Sequence, residues 1–307
     1  MKTTCRLLTV ENDVCRLLVL RNKKLAVCST GRIEIINPET KKVEETISTY
    51  DLFVWCITEL IPDYLIYSCF DENIYIWNFL EHKQFHTFEK AHQKCILKLV
   101  PLSKEYVCSC SDDKTIKIWD IQNKILISTF EEHQELIYSM VKLENSNFLV
   151  SVSKDKVIIW DWVIKKIQLT YTGFFCSYQT SLIEFKNFII IGGEDRIYLI
   201  DKNSISQKVD CPIKEIFIDE NKPRKDVAFI CRLTDELFLI VYAHALFFSD
   251  TNSIEKCFQD DYKEIDNIAV LNKTNETNLL FYFRTKIYKI NAEILLSLLV
   301  RSSNKSI

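Results

Sequence analysis

Glycine is scarce in this chain, with only four residues of that type among 307: Gly31, Gly173, Gly192 and Gly193. A protein with many tight turns normally uses more glycine, because glycine adopts positive φ without strain. We therefore expect Asn, Asp and Lys at the corners of this chain, with Asn and Asp tolerating the left-handed region best.

Long apolar runs are also lacking. The longest one near the C-terminus, ILLSLLV at residues 294–300, is far shorter than the roughly 20 residues that a membrane helix needs. The N-terminal stretch MKTTCRLLTV has no clear signal-peptide core and no small-residue cleavage site. We therefore expect no membrane insertion and a cytoplasmic location, with the nucleus as the alternative.

Neither sign of charge is in clear excess. The chain has 39 Lys and Arg residues against 42 Asp and Glu residues, which gives a formal net charge of −3. Proteins that neutralise nucleic-acid phosphates usually show a basic excess, and pairs of Lys with aromatic residues are scattered here without forming a stripe. Direct nucleic-acid binding is therefore not expected.

Cysteine is abundant but shows no metal-binding or disulfide spacing. The twelve cysteines include no CxxC pair, and in a reducing compartment such residues behave as small buried hydrophobes. Walker A, GxGxxG and HExxH motifs are absent from the sequence as well. We therefore expect no metal and no cofactor. Most of the cysteines lie in alternating apolar segments, for example Cys28, Cys56, Cys69, Cys95, Cys108 and Cys231.

A repeated motif dominates the middle of the chain. The stretch CSCSDDKTIKIWD at residues 108–120 has counterparts in YSCFDENIYIWN at 67–78 and VSVSKDKVIIWD at 150–161. Their tryptophans, Trp77, Trp119 and Trp160, are spaced 42 and 41 residues apart. A period of about 40–45 residues is typical of propeller blades with four strands each.

Weaker copies extend the repeat to seven units. Ile36, Ile200, Phe248 and Ile290 occupy the position of the tryptophan in these copies, and the one long gap contains IDENKPRK at 218–225, which is typical of a surface loop insertion. Each unit alternates apolar and polar residues between turn residues, as β-strands do. The sequence therefore predicts an all-β fold, a seven-bladed β-propeller of four-stranded antiparallel blades.

These blades are expected to form a single domain that spans residues 1–307. The last blade has two candidates for its fourth strand, residues 5–11 and residues 293–300, and the second of these is either a strand or a short helix. No other segment shows helical periodicity. The predicted blades are approximately 12–49, 50–90, 91–131, 132–173, 174–211, 226–260 and 263–291, the last closed by 5–11.

The two central units resemble WD40 repeats. The resemblance implies a buried network in each repeat: a His before the first strand, a Ser in the second, an Asp in the following turn and a Trp in the third. A Ser-His-Asp set also suggests catalysis, but a catalytic serine must be exposed, and Ser109 lies inside an alternating apolar run. We therefore interpret the network as structural. Its members are His92, Ser109, Asp113 and Trp119, then His133, Ser151, Asp155 and Trp160, and in the preceding unit Asp71 and Trp77, with Tyr67 at the Ser position.

The same resemblance implies that partners bind on the face with the loops before each first strand. Trp55 and Tyr138 are the expected anchors, because aromatic residues dominate binding hot spots. The alternative interpretation is that both residues belong to the core between blades. The full set of candidate partner-binding residues is Phe53, Trp55, Cys95, Leu97, Leu136, Tyr138 and Tyr178.

The predicted function is a non-catalytic scaffold that docks other proteins on its faces as part of a multiprotein complex. A reader of a modified peptide or of ubiquitin is one alternative. The other is an enzyme with its site at the channel mouth, formed by loop-end acids such as Asp195. Most of these acids occupy the structural Asp position of the repeat, which already explains them.

Overall fold

A computed structural model describes most of the chain. Five predicted features lie outside the described residues: Asp155, Tyr178, Asp195, the insertion at 218–225, and the segment 293–300. The described residues are 5–9, 14–60, 63–154, 156–174, 176, 181–193, 196–207, 213–217, 227–232, 238–242, 245–249, 254–258, 267–273, 276–283 and 286–291.

The chain forms two compact units, one of Met1–Phe53 with Ala228–Ile307 and one of Val54–Val227. The first unit begins with a lone strand and a four-stranded antiparallel sheet. These strands are β1 (Cys5–Thr9), β2 (Val14–Val19), β3 (Leu25–Ser29), β4 (Arg32–Asn37) and β5 (Lys42–Ser48).

The second unit consists of four antiparallel sheets, each built from four consecutive strands. The first sheet contains β6 (Val54–Leu60), β7 (Tyr64–Cys69), β8 (Ile74–Asn78) and β9 (Lys83–Phe88). The second contains β10 (Ile96–Pro101), β11 (Tyr106–Ser111), β12 (Ile116–Asp120) and β13 (Ile125–Phe130). The third contains β14 (Ile137–Lys142), β15 (Phe148–Ser153), β16 (Lys156–Asp161) and β17 (Lys166–Thr172). The fourth contains β18 (Leu182–Phe185), β19 (Phe188–Gly192), β20 (Arg196–Asp201), the helix α1 (Lys202–Gln207) and β21 (Lys214–Phe217).

The remaining strands return to the first unit. One sheet runs through β22 (Val227–Arg232), β23 (Phe238–Tyr242), β24 (Ala245–Ser249) and β25 (Ile254–Phe258). The last consists of β26 (Asn267–Lys273), β27 (Glu276–Phe283) and β28 (Lys286–Asn291), and β1 adds to it as the neighbour of β28. The described strands thus form seven four-stranded sheets. Their arrangement as one seven-bladed ring stays a prediction.

The core of the second unit lies between consecutive sheets. One apolar cluster joins the sheets of β6–β9 and β10–β13, a second joins β10–β13 and β14–β17, and a third joins β14–β17 and β18–β21. The second strand of a sheet is almost fully buried, as in β11, whereas the fourth is largely exposed, as in β13. The repeat therefore places its most apolar strands inside and leaves the fourth strand at the edge.

Lysine occupies most of the tight corners. Of the twelve described non-glycine residues with positive φ, seven are lysines, and only Asp51 and Asn145 are Asp or Asn. The sequence correctly predicts Lys at corners but overestimates Asn and Asp. Exposed turns leave the long lysine side chain in water, so these positions incur only the backbone cost of the left-handed region, about 1–2 kcal/mol per residue.

Helix α1 departs from the sequence prediction, which contained no helix before residue 292. It lies between the third and fourth strands of its sheet, and β21 consequently extends to Phe217, beyond the blade boundary that the sequence placed at 211. Asp201 Oδ1 accepts a hydrogen bond from the Asn203 backbone N–H at 2.9 Å, which favours the first turn of the helix. A six-residue helix is too short to show amphipathic periodicity, so the sequence contained no signal for it.

Candidate functional site

A chain of hydrogen bonds links the loop before β10 to the centre of its sheet. Trp119 Nε1 donates to Ser109 Oγ at 2.8 Å, and Ser109 Oγ lies 2.7 Å from His92 Nε2. The other ring nitrogen, His92 Nδ1, lies 2.8 Å from Asp113 Oδ2. His92 and Ser109 are buried. The structure therefore brings all four predicted residues of this repeat together.

The protonation states of this network follow from its donors and acceptors. Burial lowers the pKa of His92 below its usual value, although Asp113 opposes the shift, so the ring is neutral at pH 7. Burial by itself raises the pKa of Asp113, but hydrogen bonds from His92, the Gln93 backbone and Thr115 outweigh it and lower the pKa. A neutral ring that donates from Nδ1 to the carboxylate and accepts from Ser109 at Nε2 satisfies every group.

The next sheet repeats half of this arrangement. Trp160 Nε1 donates to Ser151 Oγ at 2.8 Å, and Ser151 Oγ lies 2.7 Å from His133 Nε2. His133 Nδ1 is buried and has no hydrogen-bond partner among the described residues. The predicted partner, Asp155, lies outside those residues. Burial lowers the pKa of His133 to about 4, and Lys156 contributes to the shift.

The preceding sheet replaces the His-Ser pair with two tyrosines. Tyr67, at the Ser position, stacks on Tyr75 with ring centroids 5.1 Å apart and an interplanar angle of 15°. The Tyr75 hydroxyl donates to Asp71, and Asn73 Nδ2 donates to the same carboxylate at 2.9 Å. Burial, followed by the bond to Asp71, raises the pKa of Tyr75 to about 12. Asp71 thus corresponds to Asp113 of the next sheet, but it accepts a hydrogen bond from Tyr75 where Asp113 accepts one from His92. Trp77 is half-buried in β8.

Three predicted partner-binding residues occupy equivalent backbone positions. Trp55, Leu97 and Tyr138 are each the extra residue of a β-bulge near the start of β6, β10 and β14. A bulge leaves its extra residue unpaired, bends the strand and redirects the side chain. Because β6 lies beside β10 and β10 beside β14, these bulges recur along one end of the second unit.

The bulged side chains have different environments. Tyr138 is only 9% exposed and packs in the cluster that the sheets of β14–β17 and β18–β21 share. Leu97 and Leu136 are partly buried against the apolar clusters. Tyr138 is therefore a core residue in this structure, and its prediction as a surface anchor does not match its position. Phe53, Trp55 and Cys95 are half-buried, and Tyr178 lies outside the described residues.

Trp55 belongs to an aromatic pair at the surface. Its ring centroid lies 5.0 Å from that of Phe70, with an interplanar angle of 55°, and Phe70 is 51% exposed. Phe70 begins the turn after β7, which lies at the same end of the sheet as the start of β6 because the strands are antiparallel. Sequence reasoning missed Phe70, although its place three residues after Tyr67, which occupies the Ser position, marks the loop end of the blade.

Acidic side chains lie beside this pair. Asp71 and Glu72 follow Phe70 in the same turn, and Asp112 occupies the corresponding turn of the next sheet. One carboxylate oxygen of Asp71 and one of Asp112 are buried and have no hydrogen-bond partner within the described part of the chain. Burial raises the pKa of Asp112, and burial together with Asp112 and Glu72 raises that of the Cys95 thiol. This surface, formed by Trp55, Phe70, Asp71, Glu72, Cys95 and Asp112, is called the loop-end surface below.

The residue after the tryptophan position has a separate role, which the sequence did not reveal. Asn78 Oδ1 accepts from the backbone N–H groups of Leu80 and Glu81 at 2.8 and 3.2 Å, and Asp161 Oδ1 does the same for Val163 and Ile164. These side chains close the turn between the third and fourth strands. The Asp of the Trp-Asp pair is therefore a turn residue and not a ligand.

None of the helices among the described residues has the length and apolar character of a membrane span. The same residues contain no group of three or more His, Cys, Asp or Glu side chains that could hold a metal ion.

Comparison with known proteins bears on the repeat and on the fold. The model of the "WD domain, G-beta repeat" family matches residues 82–120 and 124–161. Nuclear distribution protein PAC1 of Candida dubliniensis is 38% identical over 100 residues, which cover 31% of this chain and 20% of that protein. Human DDB1- and CUL4-associated factor 10 is 28% identical over 107 residues, covering 34% of this chain and 19% of that protein. The match thus spans about a fifth of these relatives.

Solved structures resemble almost the whole chain. The RRP9 WD40 repeats superpose with a TM-score of 0.74 at 14% identity, covering 94% of this chain and 97% of that one. The structure of U3-55K gives a TM-score of 0.73 at 13% identity, covering 94% and 98%. At such identities the likeness shows the fold alone, and it confirms the predicted all-β class. Residues 82–120 and 124–161 are therefore similar to WD40 repeats, and the fold of the chain is similar to that of solved WD40-repeat structures.

Proposed function

We propose that this chain is a non-catalytic interaction scaffold that holds a partner protein on its loop-end surface within a larger complex. Two relatives support the proposal by their names, a nuclear distribution protein and a factor associated with DDB1 and CUL4. The Ser-His-Asp sets support it further, because Ser109 and Ser151 are buried and bonded to tryptophan, whereas a catalytic serine needs access to substrate.

The aromatic pair of Trp55 and Phe70 is the observation that carries the proposal. Trp55 is the extra residue of a bulge at the start of β6, its ring contacts that of Phe70, and Phe70 is half exposed. Large aromatic side chains at a surface provide apolar area with little loss of conformational entropy, and they are enriched in binding hot spots. A partner that covers this pair removes it from water, which is the main driving force for association.

The acids around the pair favour a particular kind of contact. Asp71, Glu72 and Asp112 are only partly buried and give this surface negative charge. A Lys or Arg side chain of the partner would pair with these carboxylates, and its cationic group would lie near an aromatic face. The same observation favours the second candidate function, a reader of peptides that carry a basic or modified lysine side chain.

The compartment belongs to the same proposal. PAC1 is named as a nuclear distribution protein, and the fold is shared with RRP9 and U3-55K. We place this scaffold in the cytoplasm, with the nucleus as the alternative. Microscopy of the tagged full chain tests this placement directly.

The function is tested with affinity capture from native extract, followed by binding measurements on the purified partner. Trp55→Ala with Phe70→Ala removes the aromatic pair, and Leu80→Ala is the matched control, because Leu80 is exposed on a turn at the opposite end of the same sheet. We expect the double variant to weaken binding by roughly 30-fold or more, as loss of a hot spot of about 2 kcal/mol or more does. Circular dichroism establishes that both variants remain folded.

The alternatives give different results in the same assay. Unchanged affinity in the folded double variant would refute the loop-end surface as the docking site. The peptide-reader function is favoured if a short peptide of the partner binds by itself and two changes lower its affinity equally. One change is Lys→Met in the peptide, and the other is Asp71→Asn with Asp112→Asn in the chain.

A further inference from the structure

The fourth strands of two neighbouring sheets expose apolar side chains that the loop-end surface does not include. Ile125 is 50% exposed on β13, and Ile164 is 56% exposed in the turn before β17. Four other exposed aliphatic residues surround them. The group is called the outer-strand patch, and its members are Ile125, Leu126, Ile127, Val163, Ile164 and Ile167.

The two halves of the outer-strand patch are in direct contact. Lys165 Nζ, from the turn before β17, donates to the Ile127 carbonyl oxygen at 3.3 Å. Ile127 is the extra residue of a β-bulge, because Ile118 pairs with Ser128 and Trp119 with Leu126. The turn of one sheet therefore contacts the bulge of the preceding sheet, and the two groups of exposed aliphatic residues flank this contact.

The same contact recurs one sheet earlier. Lys124 Nζ lies 4.3 Å from the centroid of the Phe85 ring, and Phe85 is the extra residue of the bulge in β9. Lys124 and Lys165 both have positive φ at the same turn position. The repeat geometry thus places a lysine next to the outer-strand bulges of β9 and β13.

Positive charge borders the patch. Lys124, Lys165 and Lys166 are exposed, and none of the three forms an ion pair among the described residues. The nearest acid on the same turn, Asp161, is engaged in accepting the Val163 and Ile164 backbone N–H groups at 3.1 and 3.2 Å. The surface therefore combines aliphatic side chains with uncompensated cations.

The patch also lies at open sheet edges. β13 and β17 are the last strands of their sheets, and an exposed apolar edge strand favours association with another chain. Contiguous exposed apolar surface of this kind marks interaction sites in soluble proteins. An occupant that buries the aliphatic groups and carries negative charge complements both properties of the surface.

We propose that the outer-strand patch binds an acidic amphipathic segment of a partner protein, whose apolar residues cover Ile125, Ile127 and Ile164 and whose carboxylates pair with Lys124, Lys165 and Lys166. A second copy of this chain is a poor occupant, because a twofold contact through the same patch brings the same lysines together. The patch is separate from the loop-end surface, since the turns between third and fourth strands lie at the other end of each sheet. Failure of one proposal therefore leaves the other intact.

The test uses the full chain and a labelled 14-residue peptide that alternates Leu with Glu, measured by fluorescence anisotropy. The patch variant is Ile125→Ser, Ile127→Ser and Ile164→Ser, and the charge variant is Lys124→Glu, Lys165→Glu and Lys166→Glu. Glutamate tolerates the positive φ of these turns, as Glu72 shows in this chain. The matched control is Val43→Ser with Leu80→Ser, two exposed aliphatic residues elsewhere.

We expect saturable binding that each patch or charge variant weakens at least tenfold and that the control and Trp55→Ala leave unchanged. The charge variant should prefer a peptide with Lys in place of Glu. No saturable binding, or equal binding by the patch variant, would overturn the proposal. Dimerisation in sedimentation velocity that the patch variant abolishes would overturn it in favour of a second copy of the chain. Binding to phosphatidylserine vesicles that the patch variant abolishes, without binding to the peptide, would overturn it in favour of a membrane surface.

Discussion

Trp119 and Ser109 are diagonal neighbours on adjacent strands, and the Trp119 Nε1–H donates to the Ser109 hydroxyl at 2.8 Å. Trp119 pairs with Val107 in the sheet register while Ser109 pairs with Lys117, so the bond joins two side chains on one face of the sheet. Trp160 and Ser151 repeat the relationship at the same distance. A single serine thus connects the third strand of a blade to the histidine before its first strand.

Removal of the Ser109 hydroxyl tests this connection. Ser109→Ala leaves Trp119 Nε1 and His92 Nε2 buried without their partner, and we expect the free energy of unfolding to fall by about 1–3 kcal/mol per orphaned group. Ser128→Ala, on the more exposed fourth strand, is the control and should change stability by less than about 0.5 kcal/mol. Urea denaturation compares the two variants. Equal midpoints would show that the network adds nothing to stability.

Acid should destabilise the protein through its buried histidines. In the folded protein the pKa of His133 is lowered to about 4, and that of His92 is lowered as well. Histidine in the unfolded chain has a pKa of about 6.5. As the pH falls, the unfolded chain therefore takes up protons at these residues before the folded chain does. Stability is therefore complete above about pH 6.5 and falls as the pH decreases toward about 4. Urea midpoints at pH 7.5, 6.5, 5.5 and 4.5 measure the loss.

A histidine variant separates this effect from general acid denaturation. His133→Gln cannot take up a proton, so its stability should depend less on pH between 6.5 and 4.5 than that of the wild type. The lowered pKa of Asp113 acts only below the usual aspartate value of about 3.9 and does not contribute in this window. A slope equal to the wild-type slope would assign the pH dependence to other groups.

The left-handed lysines predict a stabilising substitution. Lys41 has a φ of 58°, and Lys41→Gly removes the strain of its Cβ, which should raise the free energy of unfolding by about 0.5–1 kcal/mol. The adjacent Lys42→Gly lies in β5 and should lower it by about 0.5–1 kcal/mol, because glycine weakens a strand. Thermal unfolding distinguishes the two. A change of the same sign in both would contradict the backbone explanation.

Tyr138 should behave as a core residue. Tyr138→Ala removes a ring that packs in the cluster between two sheets, and we expect a loss of about 3–5 kcal/mol, as for other large-to-small core substitutions. Tyr138→Phe keeps the ring and should retain most of the stability. Differential scanning calorimetry measures both. A fully stable Tyr138→Ala variant that fails to bind a partner would restore the surface interpretation.

The central blades were predictable in unusual detail because their signals are local. Each blade is a run of consecutive hairpins, so alternation and turn residues specify strands such as β11 and β12, and the period of the tryptophans aligns one blade with the next. The residues around His92 were predictable only through resemblance to a family. Phe70 was missed because its exposure depends on a loop conformation, and helix α1 was missed because six residues are too few to show a helical repeat of apolar positions.

The sequence by itself determined the all-β class and the repeat, because period-2 alternation and a 41- or 42-residue spacing are properties of the chain alone. Only the tertiary structure decided which equivalent side chains reach solvent. Trp55 and Tyr138 occupy the same bulge position, yet Tyr138 is covered by the following sheets while Trp55 pairs with the exposed Phe70. Exposure depends on packing between sheets, and contacts between residues distant in sequence leave no local pattern.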